Sequence, residues 1–450
     1  MKIDTKELIE QYFDQAVEST KELIKIPSVE SEPVGDKPFG FGVHDALEYI
    51  IKLTKKLGFN PVKDDTNKYA YFDFGTGKDI FAILCHLDVV PAGDLTKWFT
   101  GPFDPIIKDN KLIGRGSFDD KGPTMMNVYA VKYLKDKGFN PSKYTIRVIF
   151  GLNEETNWKC MEKYVADHGY AKTGYVPDGL FPCVYAEKWI STVEITSNVK
   201  PNFEIKAGQA VNMVCDVAEY TGDNIALIIE KLNGVKNIST QVENQVLVVK
   251  GLPGHASVPF VGVNAATYLA NALYELGNDH PLIKFVATQC HLNFSMSKVF
   301  GDISDETGDL TQNIGLLNIN NEESKIVINF RVPVFTNPEN DLLPVLDKKL
   351  KEYNLGLNIH PVTKAIYIPK DSELVTTMFD IYQQVTGDMN AKPQSMGGGT
   401  YAKTMPNIIA FGAAMDIENA SMHAYNEYVA IDHLKKMLEI YTKAIYKLTK

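Results

Sequence analysis

Length, composition and charge limit what this chain can be before any motif is considered. It has 450 residues, of which 44% are hydrophobic and 23% charged, and this predicts a folded globular protein of about two domains. A net charge of −10 argues against non-specific nucleic-acid binding, which needs a basic surface. Because no apolar run approaches the roughly 20 residues of a membrane span, and because the first residues lack the apolar core of a signal peptide, we expect a cytoplasmic protein that binds neither nucleic acid nor membranes.

The first part of the chain alternates helical and strand periodicity, which is typical of an α/β fold with a mostly parallel sheet. Such sheets bind ligands at the carboxyl ends of their strands, so residues that follow a predicted strand are the first candidates for a site. In chain order, the predicted elements are helices at 8–24 and 43–57, strands at 69–74 and 80–85, a helix at 123–137, a strand at 144–152 and, after residue 369, a helix at 374–385, a strand at 408–411 and a helix at 431–448.

The pattern changes near residue 188. Strand-like runs with intervening helices continue from there to about residue 369, and this predicts an inserted α+β domain of ordinary size. Helical periodicity then returns. We therefore predict one domain built from residues 1–187 and 370–450, interrupted by a second domain of residues 188–369.

The most informative stretch is the end of the strand predicted at 80–85, where His86 and Asp88 follow an apolar run. Alternate residues of a strand point the same way, so both side chains can share one face. A carboxylate beside a histidine suits a metal ligand and the partner that fixes its tautomer. A histidine that ends a strand and bonds a neighbouring loop is the equally weighted alternative.

Other candidates are acidic residues in predicted turns and one further histidine. Paired acids at a helix start usually cap the helix, paired acids after a strand are usually solvated, and a Pro-Asp-Gly sequence is usually a turn. Each residue therefore has an ordinary structural explanation when it is considered alone. These residues are Asp119 and Asp120 before the helix at 123–137, Glu154 and Glu155 after the strand at 144–152, Asp178 between Pro177 and Gly179, and His423.

Considered together, five of these residues form a set that can hold metal ions. Two divalent ions that share one bridging carboxylate would each take one histidine and one further acid. Nitrogen and oxygen ligands without cysteine suit zinc, and also cobalt or manganese. The set consists of His86, Asp119, Glu155, Asp178 and His423.

Several segments occur in the order found in one enzyme family, and they span most of the chain. The chain resembles the di-zinc metallopeptidase family of carboxypeptidase G, aminoacylase, acetylornithine deacetylase and succinyl-diaminopimelate desuccinylase and, within it, the bacterial dipeptidase V and carnosinase-like (Xaa-His) dipeptidases. Such an ordered set is far more specific than a lone motif. The segments are HLDVVPAG at 86–93, GRGSFDDKGP at 114–123, NEET at 153–156, the Asp178 turn, GLPGHASVP at 251–259 and GGGTYA at 397–402.

The resemblance implies an α/β catalytic domain with a mostly parallel central sheet, interrupted by an α+β lid domain. It also implies two divalent metal ions per chain, zinc with cobalt or manganese as alternatives. Asp119 would bridge both ions. His86 and Asp178 would complete one site, and Glu155 and His423 the other.

The resemblance also implies catalytic roles outside the ligand set. Asp88 would orient His86, and Glu154 would be the general base that takes a proton from a water bridging the ions. His255 of the lid would stabilise the oxyanion. Without the resemblance, His255 would be explained as an ordinary turn histidine between glycine and proline. The peptide bond between Asp119 and Asp120 is expected to be cis.

Substrate contacts are implied by the same resemblance. Arg331 lies on an otherwise apolar predicted strand, where a structural salt bridge is the usual explanation. The resemblance instead implies that its guanidinium binds the C-terminal carboxylate of the substrate. Asn212, Gly398, Gly399 and Thr400 are further candidates for binding the substrate backbone.

The predicted function is metal-dependent hydrolysis of dipeptides with a free N-terminus. A deacylase of N-acyl amino acids with the same metal site is the first alternative, and a non-catalytic peptide-binding protein is the remote one. Family members with a short lid dimerise through it. Because the inserted domain is large enough to hold two such lids, we expect a monomer in which His255 acts within its own chain, with a homodimer as the alternative.

Overall fold

The structure is a computed structural model that describes residues 2–415 and 421–450. The chain folds into two compact units. Unit 1 comprises Met1–Tyr185, Ile368–Gln394 and Thr400–Lys450, and unit 2 comprises Ala186–Tyr367 and Ser395–Gly399. The predicted α/β class with a mostly parallel central sheet is confirmed by the sheet of unit 1.

The elements are numbered in chain order. Among the described residues, no helix has the length and the hydrophobicity of a membrane span. The strands are β1 (Val62–Lys63), β2 (Tyr69–Gly75), β3 (Asp79–His86), β4 (Ile106–Lys108), β5 (Lys111–Ile113), β6 (Tyr144–Gly151), β7 (Thr173–Val176), β8 (Val184–Glu187), β9 (Trp189–Thr196), β10 (Glu204–Ala207), β11 (Val217–Thr221), β12 (Ser239–Glu243), β13 (Val246–Lys250), β14 (Ser304–Asp305), β15 (Gly308–Asp309), β16 (Thr311–Ile319), β17 (Ser324–Val332), β18 (Gly356–Ile359), β19 (Ile366–Tyr367), β20 (Gln394–Met396), β21 (Ile408–Ala410) and β22 (Tyr428–Ala430). The α-helices are α1 (Thr5–Leu8), α2 (Asp14–Ile24), α3 (Phe41–Lys56), α4 (Lys121–Asp136), α5 (Lys159–His168), α6 (Ile225–Leu232), α7 (Ala265–Glu275), α8 (Pro281–Phe285), α9 (Ser297–Phe300), α10 (Leu343–Lys351), α11 (Glu373–Thr386) and α12 (Ile431–Thr449). Short 3₁₀ or π turns lie at Ile9–Phe13, Leu95–Lys97, Pro259–Val261, Val286–Cys290, Pro338–Leu342 and Tyr401–Thr404.

The sheet of unit 1 has the strand order β1-β2-β6-β3-β7-β21-β8. The strands β6, β3, β7 and β21 at its centre run parallel to one another, and the flanking strands are antiparallel to their neighbours. Every residue of β3 from Phe81 to Cys85 is fully buried, which is why this strand is apolar along its length rather than alternating. Helices α4 and α12 pack against the sheet.

The carboxyl ends of the parallel strands meet at one edge of this sheet. β3 ends at His86, which pairs with Gly151 at the end of β6, and β7 ends at Val176. Side chains on the connections at this edge can therefore converge although they are far apart in the chain. These connections carry Asp88, Glu154, Glu155 and Asp178.

Unit 2 contains an antiparallel sheet with the strand order β12-β13-β11-β10-β16-β17-β9-β18, and α6, α7, α8 and α10 contribute apolar side chains to its core. The segment Ser395–Gly399 belongs to this unit although it lies outside the inserted domain predicted at 188–369. Hydrogen bonds explain its position: the Ser395 hydroxyl donates to the Thr307 carbonyl (3.0 Å), and the Lys188 amide donates to the Met396 carbonyl (2.9 Å).

We predict that Gly174→Ala destabilises unit 1. Gly174 of β7 pairs with Ala82 of β3, and a Cβ atom at this glycine would lie 2.0 Å from the Ala82 carbonyl oxygen. Overpacking of this kind lowers the free energy of unfolding by about 1–3 kcal/mol, so the midpoint of thermal unfolding should fall. Gly101→Ala is the control, since its nearest new neighbour would be Asp104 Cβ at 3.6 Å. Equal midpoints for the two variants would contradict the packing of β7.

Candidate metal centre

His86 lies at the end of β3, and its ring is buried. Its Nδ1 lies 3.0 Å from the main-chain carbonyl oxygen of Asp88, and its Nε2 lies 2.9 Å from Asp119 Oδ1 and 3.8 Å from Asp178 Oδ2. Burial lowers the pKa of this imidazole, but hydrogen bonds to Asp119 and Asp88 outweigh burial and raise the pKa well above its usual value. The carbonyl on Nδ1 thus holds Nε2 toward the acidic side chains.

Asp119 lies between two histidines. Its Oδ1 contacts His86 as described, and its Oδ2 lies 3.1 Å from His423 Nε2. Burial would raise the pKa of this carboxyl group, but the hydrogen bonds from His423 and His86 hold it well below its usual value. The peptide bond between Asp119 and Asp120 is cis, as the family resemblance implies.

His423 also contacts Glu155. Its Nε2 lies 3.1 Å from Glu155 Oε2, and its side chain is half exposed. Partial removal from water lowers the pKa of His423, but the hydrogen bonds to Asp119 and Glu155 outweigh this effect and raise it to about 11. The two carboxylates therefore stabilise the protonated form of this imidazole.

Asp88 holds the turn that carries the paired glutamates. Its Oδ1 accepts the main-chain N–H of Glu154 (3.0 Å) and its Oδ2 accepts that of Glu155 (3.1 Å). Its Oδ1 also lies 3.5 Å from His86 Nδ1, farther than the Asp88 carbonyl oxygen. The role of its carboxylate in orienting His86 stays a prediction, and the position of the Glu154–Glu155 turn depends directly on this carboxylate.

Glu154 is buried beside these groups. Its carbonyl accepts from Trp158 Nε1 (2.8 Å), and among the described residues no hydrogen-bond donor reaches its Oε1. Burial, together with the charge of Asp178, raises the pKa of Glu154 well above its usual value. A buried carboxylate with raised proton affinity and a free oxygen is suited to take up and release a proton.

The donor set fits a divalent metal ion. One ligand atom from each of His86, Asp119 and Glu155 can be chosen so that all three lie within 4.8 Å of one another. Burial and neighbouring carboxylates raise the pKa values of Glu155 and Asp178, which means that ionising these acids beside Asp119 is unfavourable without further positive charge. Divalent cations would relieve this repulsion, and nitrogen and oxygen donors without a thiolate suit zinc, cobalt or manganese.

Two residues that the sequence reasoning did not select also contact this site. Glu427 accepts the main-chain N–H of Asp119 (3.1 Å), and Arg115 forms a buried ion pair with Glu427 (2.7 Å). The only available signal was that each of these opposite charges lies within a few residues of a candidate ligand. Their partners include main-chain groups, which leave no mark in a sequence.

The predicted substrate residues His255 and Asn212 lie in unit 2. The Ser257 amide donates to His255 Nδ1 (3.2 Å), and the Ser257 hydroxyl lies 2.7 Å from the same atom. An Nδ1 that accepts a hydrogen bond leaves the proton of a neutral imidazole on Nε2. The Asn212 carbonyl accepts from the Ala256 amide (2.9 Å), which places Asn212 beside the His255 turn.

Arg331 of β17 is a buried cation: only 3% of it is exposed. Its Nε donates to Asn329 Oδ1 (2.7 Å), and an Nη donates to the Gly397 carbonyl (2.5 Å). Burial alone lowers its pKa to about 10, and no carboxylate of the described residues forms an ion pair with it. The salt-bridge explanation therefore finds no partner in the described chain.

The other predicted backbone-binding residues follow Gly397. Gly398 and Gly399 belong to unit 2, next to the carbonyl that Arg331 holds, whereas Thr400 begins a stretch of unit 1. Thr400 is buried, and its side chain accepts the Ala402 amide (3.1 Å), which caps the turn at Tyr401–Thr404. The substrate-binding role of these three residues stays a prediction.

Comparison with known proteins gives one consistent family. A curated protein of Staphylococcus saprophyticus named "Putative dipeptidase" is 33% identical over 98% of this chain and 99% of its own length, and a protein of the same name from Staphylococcus epidermidis matches equally. The structure of human carnosine dipeptidase 1 shares the fold, with a TM-score of 0.60 at 13% identity over 99% of this chain and 98% of its own. The model of Peptidase family M20/M25/M40 matches residues 82–447. The chain therefore belongs to peptidase family M20/M25/M40.

Proposed function

We propose that this peptidase is a metal-dependent dipeptidase that hydrolyses dipeptides with a free N-terminus. The observation that carries the proposal is the cluster around Asp119, where two imidazoles and further carboxylates converge beside the buried Glu154. The names of the staphylococcal relatives, which match 98% of this chain, support a dipeptide as substrate. We further propose that unit 1 is the catalytic domain, that unit 2 is the lid, and that the enzyme acts as a cytoplasmic monomer.

We assign two divalent metal ions to the cluster, with zinc preferred over cobalt or manganese. Asp119 would be shared by both ions, His86 and Asp178 would complete one site, and Glu155 and His423 the other. This pairing is supported by the distances, since one oxygen of Asp119 faces His86 and the other faces His423. When bound, such ions act as Lewis acids toward water and toward the scissile carbonyl group.

Glu154 would move the proton in this reaction. Its carboxylate takes a proton from the attacking water and delivers it to the amine nitrogen as the carbon–nitrogen bond breaks. The raised pKa that burial gives Glu154 suits a group that must hold the proton between these two steps. Asp88 fixes the position of this base through the main-chain N–H groups of Glu154 and Glu155.

Two residues of unit 2 would bind the substrate. Because the Ser257 amide donates to His255 Nδ1, the proton of the neutral imidazole lies on Nε2. Nε2 can donate this proton in a hydrogen bond to the oxyanion that develops on the substrate carbonyl. The buried guanidinium of Arg331 lacks an anion among the described residues, and a substrate carboxylate would supply one. Asn212, Gly398, Gly399 and Thr400 are proposed to bind the substrate backbone.

The experiment that tests the function combines metal exchange with a substrate panel. We expect protein stripped by a chelator to be inactive, and Zn²⁺, Co²⁺ or Mn²⁺ to restore hydrolysis of dipeptides. Each dipeptide is compared with the N-acetyl derivative of its C-terminal amino acid. Faster turnover of the N-acetyl compounds would favour the deacylase, and no turnover of either class by metal-loaded protein would favour the non-catalytic alternative.

We predict that Glu154→Gln lowers kcat by roughly 10²–10⁴-fold, because general acid–base catalysis contributes about that much. Its bound zinc, measured by elemental analysis, should not change, since Glu154 is not a proposed ligand. Glu162→Gln makes the same chemical change on the exposed surface of α5 and should leave kcat unchanged. Turnover by Glu154→Gln at the wild-type rate would contradict the role of Glu154 as general base.

We predict that Arg331→Lys impairs dipeptides more than dipeptide amides. A hydrogen bond to a charged group contributes about 1.5–3 kcal/mol, so kcat/KM for dipeptides should fall roughly 10–100-fold, mainly through KM. Dipeptide amides lack the carboxylate and serve as the internal control. An equal loss on both substrates would mean that Arg331 only supports the structure.

A further inference from the structure

A buried ion pair links the segments that carry the candidate ligands. Arg115 donates to Glu427 Oε2 across 2.7 Å, and the two residues are 2% and 0% exposed. Arg115 lies four residues before Asp119, and Glu427 lies four residues after His423. Both residues belong to unit 1.

Glu427 organises the loop that ends in Asp119. Its Oε1 accepts the main-chain N–H groups of Gly116 (3.1 Å), Phe118 (2.9 Å) and Asp119 (3.1 Å). Its carbonyl accepts the amide of Gly114 (2.9 Å). The Glu427 side chain therefore fixes the backbone of this turn as far as Asp119, whose carboxylate faces both histidines.

Arg115 extends the same contacts to the two histidine segments. One of its Nη atoms donates to the Ala424 carbonyl (3.3 Å), directly after His423, and the other donates to the Pro91 carbonyl (3.3 Å), on the connection that leaves His86. The guanidinium also lies 5.2 Å from the Trp98 ring centroid. Only a planar group with several fixed donors can reach these separate acceptors at once.

A strand pair brings these segments to the ion pair. β5 leads into the Gly114–Asp119 loop, and β22 directly follows Glu427. The two strands are antiparallel, with Ile113 opposite Tyr428. The loop of Asp119 and the loop of His423 therefore leave the same end of one ladder, and the ion pair lies at that end.

From these contacts we infer that Arg115 and Glu427 are positioning residues that set the distances among Asp119, His86 and His423. The inference rests on the proposed function, because it assigns these distances to metal binding. A buried ion pair contributes little net stability compared with an apolar pair of similar volume. Here the ion pair orients the backbone, because both side chains also form hydrogen bonds with main-chain groups beside the candidate ligands.

The test is Zn²⁺ binding by full-length Glu427→Gln and Arg115→Lys, measured by titration of metal-free protein against a competing chelator. An amide offers one acceptor oxygen and cannot accept both the guanidinium and three amides. A lysine keeps the positive charge but lacks the planar guanidinium group with its several fixed donors. Residues that hold metal ligands in place through hydrogen bonds typically contribute about 10–100-fold to metal affinity. We therefore expect Zn²⁺ affinity to fall by roughly this factor at one or both sites, and kcat to fall more than KM rises.

Arg147→Gln is the control. Arg147 forms a two-armed ion pair with Asp73 between β2 and β6 (2.7 Å for each arm) and contacts none of the ligand-bearing loops, so its loss should leave Zn²⁺ affinity unchanged. Circular dichroism of each metal-free variant reports folding, and if Glu427→Gln does not fold, Arg115→Lys decides. Folded variants that bind Zn²⁺ as tightly as the wild type would overturn the inference. Dipeptide turnover by the wild type tests the proposed function separately, so the two ideas can fail independently.

Discussion

The candidate site depends on one electrostatic constraint: a buried carboxylate that stays ionised between two histidines. Asp119 keeps its charge because His86 and His423 both contact it. Removing a carboxylate from water is unfavourable unless partners of opposite charge surround it. The strand end at His86 and the hydrogen-bonded loop before Asp119 hold these partners in place.

Each unit retains a buried group that a purely structural core would not. Glu154 has a buried oxygen without a donor among the described residues, and Arg331 has a buried charge without an ion-pair partner among them. Both are unfavourable for folding, since buried polar groups normally find partners. Local departures from good folding rules are expected where binding and chemistry take place.

Much of the fold could be predicted from periodicity. The apolar run predicted at 80–85 is β3 (Asp79–His86), because a strand buried on both faces has no polar alternation. The helix predicted at 123–137 begins at Lys121 instead: its first turn carries polar residues that are nevertheless buried. The convergence of His86 and Glu155 could be anticipated because parallel strands end at one edge. The positions of Asp119 and His423 beside them were implied only by the family resemblance, since neither residue directly follows a strand of that sheet.

Other features depend on contacts without a sequence signature. The bonds from Asp88 to the amides of Glu154 and Glu155 and those of Glu427 to its loop involve main-chain donors, which every residue except proline has. Ser395–Gly399 joins unit 2 through hydrogen bonds to Thr307 and Lys188, which no local pattern indicates. The tautomer of His255 likewise depends on a main-chain donor, the Ser257 amide 3.2 Å from Nδ1.

The order of the candidate ligands along the chain has a consequence for biosynthesis. Four of them, from His86 to Asp178, precede unit 2, whereas His423 and the central strand β21 follow it. A chain still emerging from the ribosome can assemble at most part of the cluster, because strand pairing across such a separation must wait for the distant segment. The proposed hydrolysis would thus begin only after the segment with His423 has been synthesised, and a chain terminated before that segment and before β21 would lack both the fifth ligand and a central strand of the sheet.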